Sequence, residues 1–155
     1  MRGPNVMQGY FRDADATAAA ITPEGWLKTG DLATQAADGS LFIVGRSKEL
    51  IIRGGLNVYP GEVEAVLNSH PAVSQSVVVG RSIENADEEV VAFVELVAGR
   101  SASEAELREF AAAQLAPYKR PAELRVLEAL PASATGKVLR GELHRLAQRA
   151  APQAR

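Results

Sequence analysis

Residues 46–67 read RSKELIIRGGLNVYPGEVEAVL, and the change of period inside this stretch decides the fold. As far as Tyr59 the apolar residues come in a short run broken by Gly54-Gly55. Paired glycines between apolar segments predict a hairpin with a permissive turn. From Pro60 the spacing becomes helical. Proline suits the first helical position, and Glu62 and Glu64 suit a helix N-terminus. Val63, Val66 and Leu67 then form an i, i+3, i+4 stripe that ends near His70-Pro71.

Downstream, SQSVVVG (74–80) and VVAFVEL (90–96) read as strands. Ser103 with Glu106 predicts a capping box for a helix through about Leu115, stopped by Pro117. ELRVLE (123–128) is a third strand, and Leu139, Leu143 and Leu146 mark a last helix. This order predicts a small two-layer α+β domain with a short mixed sheet and about three helices. Upstream, residues 1–45 read as a β-rich piece without helix, rich in turns at EGW and ADGS. Asp38-Gly39 before LFIVG is a hairpin signal. The predicted division is therefore 1–45 and 46–155, with APQAR at the end expected to fray.

Composition narrows the chemistry. The chain has 155 residues, 46% hydrophobic and 23% charged, the balance of a soluble globular protein. A net charge of −2 gives no whole-molecule attraction to nucleic acid or anionic lipid, so no nucleic-acid partner is expected. The lack of cysteine excludes disulfides and thiolate chemistry. No apolar run approaches the ~20 residues of a membrane span and no signal peptide is apparent, so a cytoplasmic protein is expected. His70 and His144 lie far apart without further ligands at metal spacing, so no metal site is expected. A phosphate loop needs glycine where Pro131 stands, five residues before Gly136-Lys137. Neither a G-x-S-x-G elbow nor a G-x-G-x-x-G fingerprint occurs.

Four stretches carry polar residues or glycines that packing does not demand. Asp31 in WLKTGDL reads as a turn residue, a helix cap or a ligand-binding carboxylate. Arg46 and Lys48 in GRSKEL read as solvated surface cations or as functional ones. Gly54-Gly55 serves a tight turn or lets a ligand approach the backbone. Lys137, in ALPASATGKVLRGEL (129–143), is a solvated loop residue or a catalytic cation.

Taken together, the stretches are specific. GYFRDADAT…GWLKTGDL, GRSKELIIRGGLNVYPGEVE, APYKRP and LPASATGKVLR follow one another in this order. The set resembles the C-terminal part of the adenylate-forming (AMP-binding) superfamily, over about Gly3 to Leu146. The resemblance implies activation of a small-molecule carboxylic acid by ATP with Mg to an acyl-adenylate, followed by transfer to the thiol of CoA or a carrier protein. It implies a large N-terminal domain that holds ATP and the acid. It also implies a small C-terminal domain that rotates between the two half-reactions.

On that resemblance Asp31 accepts hydrogen bonds from the ribose hydroxyls, a task that suits a carboxylate's two acceptors, and Arg46 supports the same nucleotide. Lys48 falls at the hinge. Gly54 and Gly55 line the pantetheine channel, where side chains obstruct, and Tyr118 and Arg120 meet the CoA nucleotide. Lys137 matches the catalytic lysine, an ammonium that offsets repulsion as carboxylate and α-phosphate are pressed together.

RGGLNVYPGEVE and TGK stand closer to free-standing acyl- and aryl-CoA synthetases than to peptide-synthetase adenylation domains. One departure is local. After VVVG the chain reads RSIENADEE where the family commonly has Val-Pro-Asp, which is expected to touch only a surface connection. The family's ATP-phosphate loop and acid pocket lie several hundred residues upstream of these motifs, and this chain contains neither. Residues 1–45 are accordingly expected to be the end of the large domain, and the isolated chain is not expected to complete the reaction. The alternatives are a stand-alone, non-catalytic module that binds nucleotide, CoA or a partner, and an adenylation-domain fragment of a peptide synthetase.

Overall fold

The hairpin and the helix of residues 46–67 form as their spacing requires. In the computed structural model, which describes residues 1–149, β3 (Ile51–Arg53) and β4 (Leu56–Val58) pair antiparallel around Gly54-Gly55. Both glycines have positive φ, +57° and +76°, as a two-residue turn of type I′ requires. Then α2 (Pro60–Asn68) starts with its proline in the first turn and buries Pro60, Val63 and Leu67.

Three strands build the central sheet: β5 (Val73–Ser82), β6 (Glu88–Leu96) and β7 (Glu123–Leu127). The first pair is antiparallel and the second parallel, so the sheet is mixed. The parallel return is made by α3 (Glu104–Gln114), whose Ser103 caps it by accepting from the Glu106 amide at 3.2 Å. A last helix, α4, covers Arg140–Arg149.

Period-2 alternation along β5 and β6 sends side chains to two faces. Val78, Val90, Ala92 and Val94 pack with Val63 and Leu67 of α2 and Leu107 and Ala111 of α3. Val77, Val79, Val91 and Phe93 pack with Leu143 and Ala147 of α4. The α+β class, the mixed sheet and the three helices agree with the sequence reading. The layering is richer than the two layers expected: α4 covers the second face, giving helix, sheet, helix. The run VVV (77–79) records this, since a strand buried on both faces reads as continuously apolar. Of the stripe Leu139, Leu143 and Leu146, only Leu143 is buried, and Ala147 one turn on completes the contact.

The chain divides into two units at Lys48, one Met1–Lys48 and the other beginning at Glu49. In the first, β1 (Asp31–Gln35) and β2 (Leu41–Arg46) form the hairpin signalled by Asp38-Gly39. The expectation that residues 1–45 lack helix is corrected by α1 (Ala14–Ala20). Its run ADATAAA is alanine-rich, the best helix former, and Asp13 Oδ1 caps it by accepting from the Ala16 amide at 2.8 Å. The final segment APQAR lies outside the described residues.

Candidate functional site

Lys137 sits in a turn that bonds to itself. The Gly136 amide donates to Ser133 O at 2.9 Å, the Ser133 amide to Lys137 O at 2.8 Å, and the Lys137 amide to Ser133 Oγ at 3.2 Å. Gly136 takes φ +79°, which a residue with a Cβ adopts only under strain. A bridge between Ala132 and Val138 closes the base of the loop, and the Leu139 amide donates to Pro131 O at 2.8 Å. The turn therefore presents an exposed lysine immediately before α4.

Arg140, three residues on, anchors that loop to the sheet. Its guanidinium donates to both Glu64 oxygens at 2.8 and 3.1 Å and to Val78 O at 3.2 Å, with Glu49 at 3.8 Å. Lys137 and Arg140 line an open groove of about 470 Å³ with Glu49, Ser133, Glu142 and Arg145. Arg140 is spent on Glu64, and Arg145 has Glu142 at 3.8 Å. Among the described residues Lys137 is in no ion pair, so its charge is available to an incoming anion.

The glycine hairpin gathers a second group. Arg53 Nη1 donates to Arg120 O at 2.7 Å and to Tyr118 O at 3.2 Å, so residues 118–120 lie against the hairpin tip. Tyr118 packs on the core while Lys119 Nζ lies 5.5 Å from its ring centroid. Lys119 Nζ also donates to both Glu62 oxygens at 2.6 and 2.8 Å, which holds the ammonium above its ordinary pKa. Arg120 Nε donates to Leu115 O at 3.0 Å, so part of its fork is committed to the end of α3. A Cβ at Gly54 or Gly55 meets nothing within 4 Å, so the turn's surface is open.

Two carboxylates secure the hairpin from the other direction. Asp87 Oδ1 accepts from the Gly54 amide at 2.6 Å and Glu88 Oε2 from the Ile52 amide at 2.8 Å. Both belong to the RSIENADEE connection, which the sequence reading treats as plain surface. The signal that could have located them is Gly80, a glycine inside a strand. A Cβ there would stand 2.8 Å from Glu88 Oε1.

In the first unit Asp31 and Arg46 are cross-strand partners, with Arg46 Nε 3.5 Å from Asp31 Oδ1. Asp31 thus opens a strand, neither turning the chain nor capping a helix. Lys48 is exposed in a single 3₁₀ turn, Ser47–Glu49, where the two units meet along the chain. The structure brings Gly54, Gly55, Tyr118 and Arg120 together. Among the described residues, no hydrogen bond joins this group to the Lys137 turn. The α+β domain thus carries two groups: the Lys137 turn, whose ammonium is in no ion pair among the described residues, and the open glycine turn.

The family follows from comparison. Residues 62–137 match the model of the AMP-binding enzyme C-terminal domain, and the chain belongs to that family. It is 47% identical over 146 residues to the 2-succinylbenzoate–CoA ligase of Geobacillus kaustophilus, covering 94% of this chain and 30% of that protein. The rice (Oryza sativa subsp. japonica) 4-coumarate–CoA ligase-like 4 is 44% identical over 147 residues, 95% of this chain and 27% of the relative. The o-succinylbenzoate CoA synthetase of Bacillus subtilis, solved with its acyl-adenylate intermediate, superimposes with a TM-score of 0.81 at 42% identity, over 92% of this chain and 29% of that one. The same synthetase has also been solved with ATP and a magnesium ion. The chain therefore spans less than a third of the length of these relatives.

Proposed function

We propose that this chain is the C-terminal portion of an ATP-dependent carboxylic acid:CoA ligase, which forms an acyl-adenylate and then a thioester. Lys137 is the catalyst of the first step. Its exposed ammonium, in no ion pair among the described residues, on a self-bonded turn carries this reading, because a cation already matched by a carboxylate has little field left for a reacting anion. Placed between the acid's carboxylate and the α-phosphate, it stabilises charge that develops as they join. ATP, its magnesium and the acid are held chiefly by a large N-terminal domain. Asp31 takes the ribose hydroxyls with its two acceptor oxygens, oriented by Arg46.

The glycine turn serves the second step. Gly54 and Gly55 leave room for the pantetheine arm, with Tyr118 and Arg120 beside the CoA nucleotide. Lys48 is the hinge about which the unit from Glu49 onward rotates to exchange one face for the other. The first unit supports the same reading. It buries no side chain and exposes Leu41, Phe42 and Ile43 by 68%, 58% and 67%, a surface suited to the large domain. The reaction belongs in the cytoplasm and needs both parts, so the 155 residues alone are inactive.

The test separates the half-reactions in the complete ligase. Lys137→Ala should slow adenylate formation by roughly 10²–10³-fold, the scale for one preorganised electrostatic group. Thioester formation from supplied acyl-adenylate should change far less. Equal losses in both steps overturn the assignment.

A further inference from the structure

We propose that Asp87, Glu88 and Arg53 are positioning residues for the thioester step, holding the Gly54-Gly55 turn and the Tyr118–Arg120 segment as one preorganised wall. The inference rests on the reading of that turn as the channel for the thiol arm.

The physical case begins with the strand. β3 has three residues, too few to hold a tip in place by its own ladder with β4. Amides two residues apart point to the same edge of a strand. On β3 these are Ile52 and Gly54, and consecutive carboxylates from one connection take them: Glu88 the first, Asp87 the second. Charge-assisted bonds of this kind are the strong class, and here they clamp the residue at which the chain reverses.

The arrangement has been given room. Gly80 is buried on β5, and a Cβ there would stand 2.8 Å from Glu88 Oε1 and 3.1 Å from Glu88 Cδ. A side chain at Gly80 would push the carboxylate off the Ile52 amide. The backbone of the Asp87 connection is specialised too, since Asn85 and Ala86 take φ of +61° and +57°. Two consecutive non-glycine residues in the left-handed region turn the chain so that Asp87 faces the hairpin.

Arg53 completes the wall on its other side. One nitrogen reaches the carbonyls of both Tyr118 and Arg120, residues 65 and 67 positions away in sequence. A displaced hairpin tip therefore carries the 118–120 segment with it. Among the described residues no hydrogen bond joins the clamps to the Lys137 turn, so their loss should register in one half-reaction only.

The experiment uses the complete ligase and measures adenylate formation and CoA-dependent thioester formation separately. Asp87→Ala is expected to raise the KM for CoA about tenfold, with adenylate formation within twofold of wild type. Asp87→Asn keeps an acceptor oxygen for the Gly54 amide and should restore the KM. Arg53→Ala should show the same selectivity, and it carries the test if Asp87→Ala does not fold. Equal losses in both half-reactions, unchanged CoA kinetics in the alanine variants, or failure of Asp87→Asn to rescue overturn the proposal. A wild-type ligase that forms adenylate yet passes nothing to CoA is a different failure. It removes the acceptor-site reading, and this inference with it, before any variant is made.

Discussion

Arg81 is 5% exposed and lies between two carboxylates, donating to Glu89 Oε2 at 2.6 and 3.1 Å and to Glu123. Register explains the triad: Arg81 is paired with Glu89 across β5 and β6, and Glu123 opens the parallel pairing of β7. Removing the cation leaves two partly buried carboxylates facing each other. Arg81→Met should therefore destabilise the domain by about 3 kcal/mol, measured by urea unfolding. Glu123 also gives the triad a pH signature. Hydrogen bonds from Arg125 and then Arg81 hold its carboxyl below the ordinary 4.5, against the upward pull of desolvation. A depressed carboxyl stabilises the fold above its unfolded value and loses that contribution as pH falls through the folded one. Stability should accordingly drop as pH is lowered below about 4.5, and Glu123→Gln should flatten this acid limb. An unchanged limb in Glu123→Gln would contradict the linkage.

The hairpin and α3 show how elements depend on single backbone positions. Gly55 has φ +76° and open space around its Cβ position, so its substitution is a question of backbone strain alone. Gly55→Ala should cost about 1 kcal/mol in thermal or chemical unfolding, and Gly55→Asn less, because asparagine tolerates the left-handed region. A cost of several kcal/mol for alanine would mean a steric clash that the geometry does not contain. At α3, Ser103→Ala removes the acceptor for the Glu106 amide and should cost about 1 kcal/mol. Both features were legible beforehand, for they are local: paired glycines between apolar runs, and a serine three residues before a glutamate. The helix α1 was equally local, in Asp13 and an alanine run, and was obscured by the turn-rich text around it.

The two units differ in how much they bury. Every buried side chain among the described residues lies at Ile51 or beyond, while Phe11 in the first unit is 87% exposed. Hydrophobic burial supplies most folding free energy, so the first unit should open before the second. Trp26 is the chain's single tryptophan and lies in the first unit. Its fluorescence should change at a lower temperature than the far-UV circular dichroism of the helices beyond Glu49; coincident midpoints would refute the difference. No helix among the described residues is long and apolar enough to cross a membrane. The buried apolar residues of α2, α3 and α4 pack on the sheet.

The sequence by itself determined the element order from β3 onward and the family, and its motifs singled out Lys137, Asp31 and the glycine pair. Caps, turns and periods are short-range physics, readable within a few residues. Only the tertiary structure decided that α4 closes the second face of the sheet, that Arg140 anchors the Lys137 turn through Glu64, and that Arg53, Asp87 and Glu88 grip the hairpin. Those contacts join residues 33 to 76 positions apart. A carboxylate that will meet a distant amide reads, in sequence, like any solvated charge. Its partner exists only after the sheet has brought the two segments together.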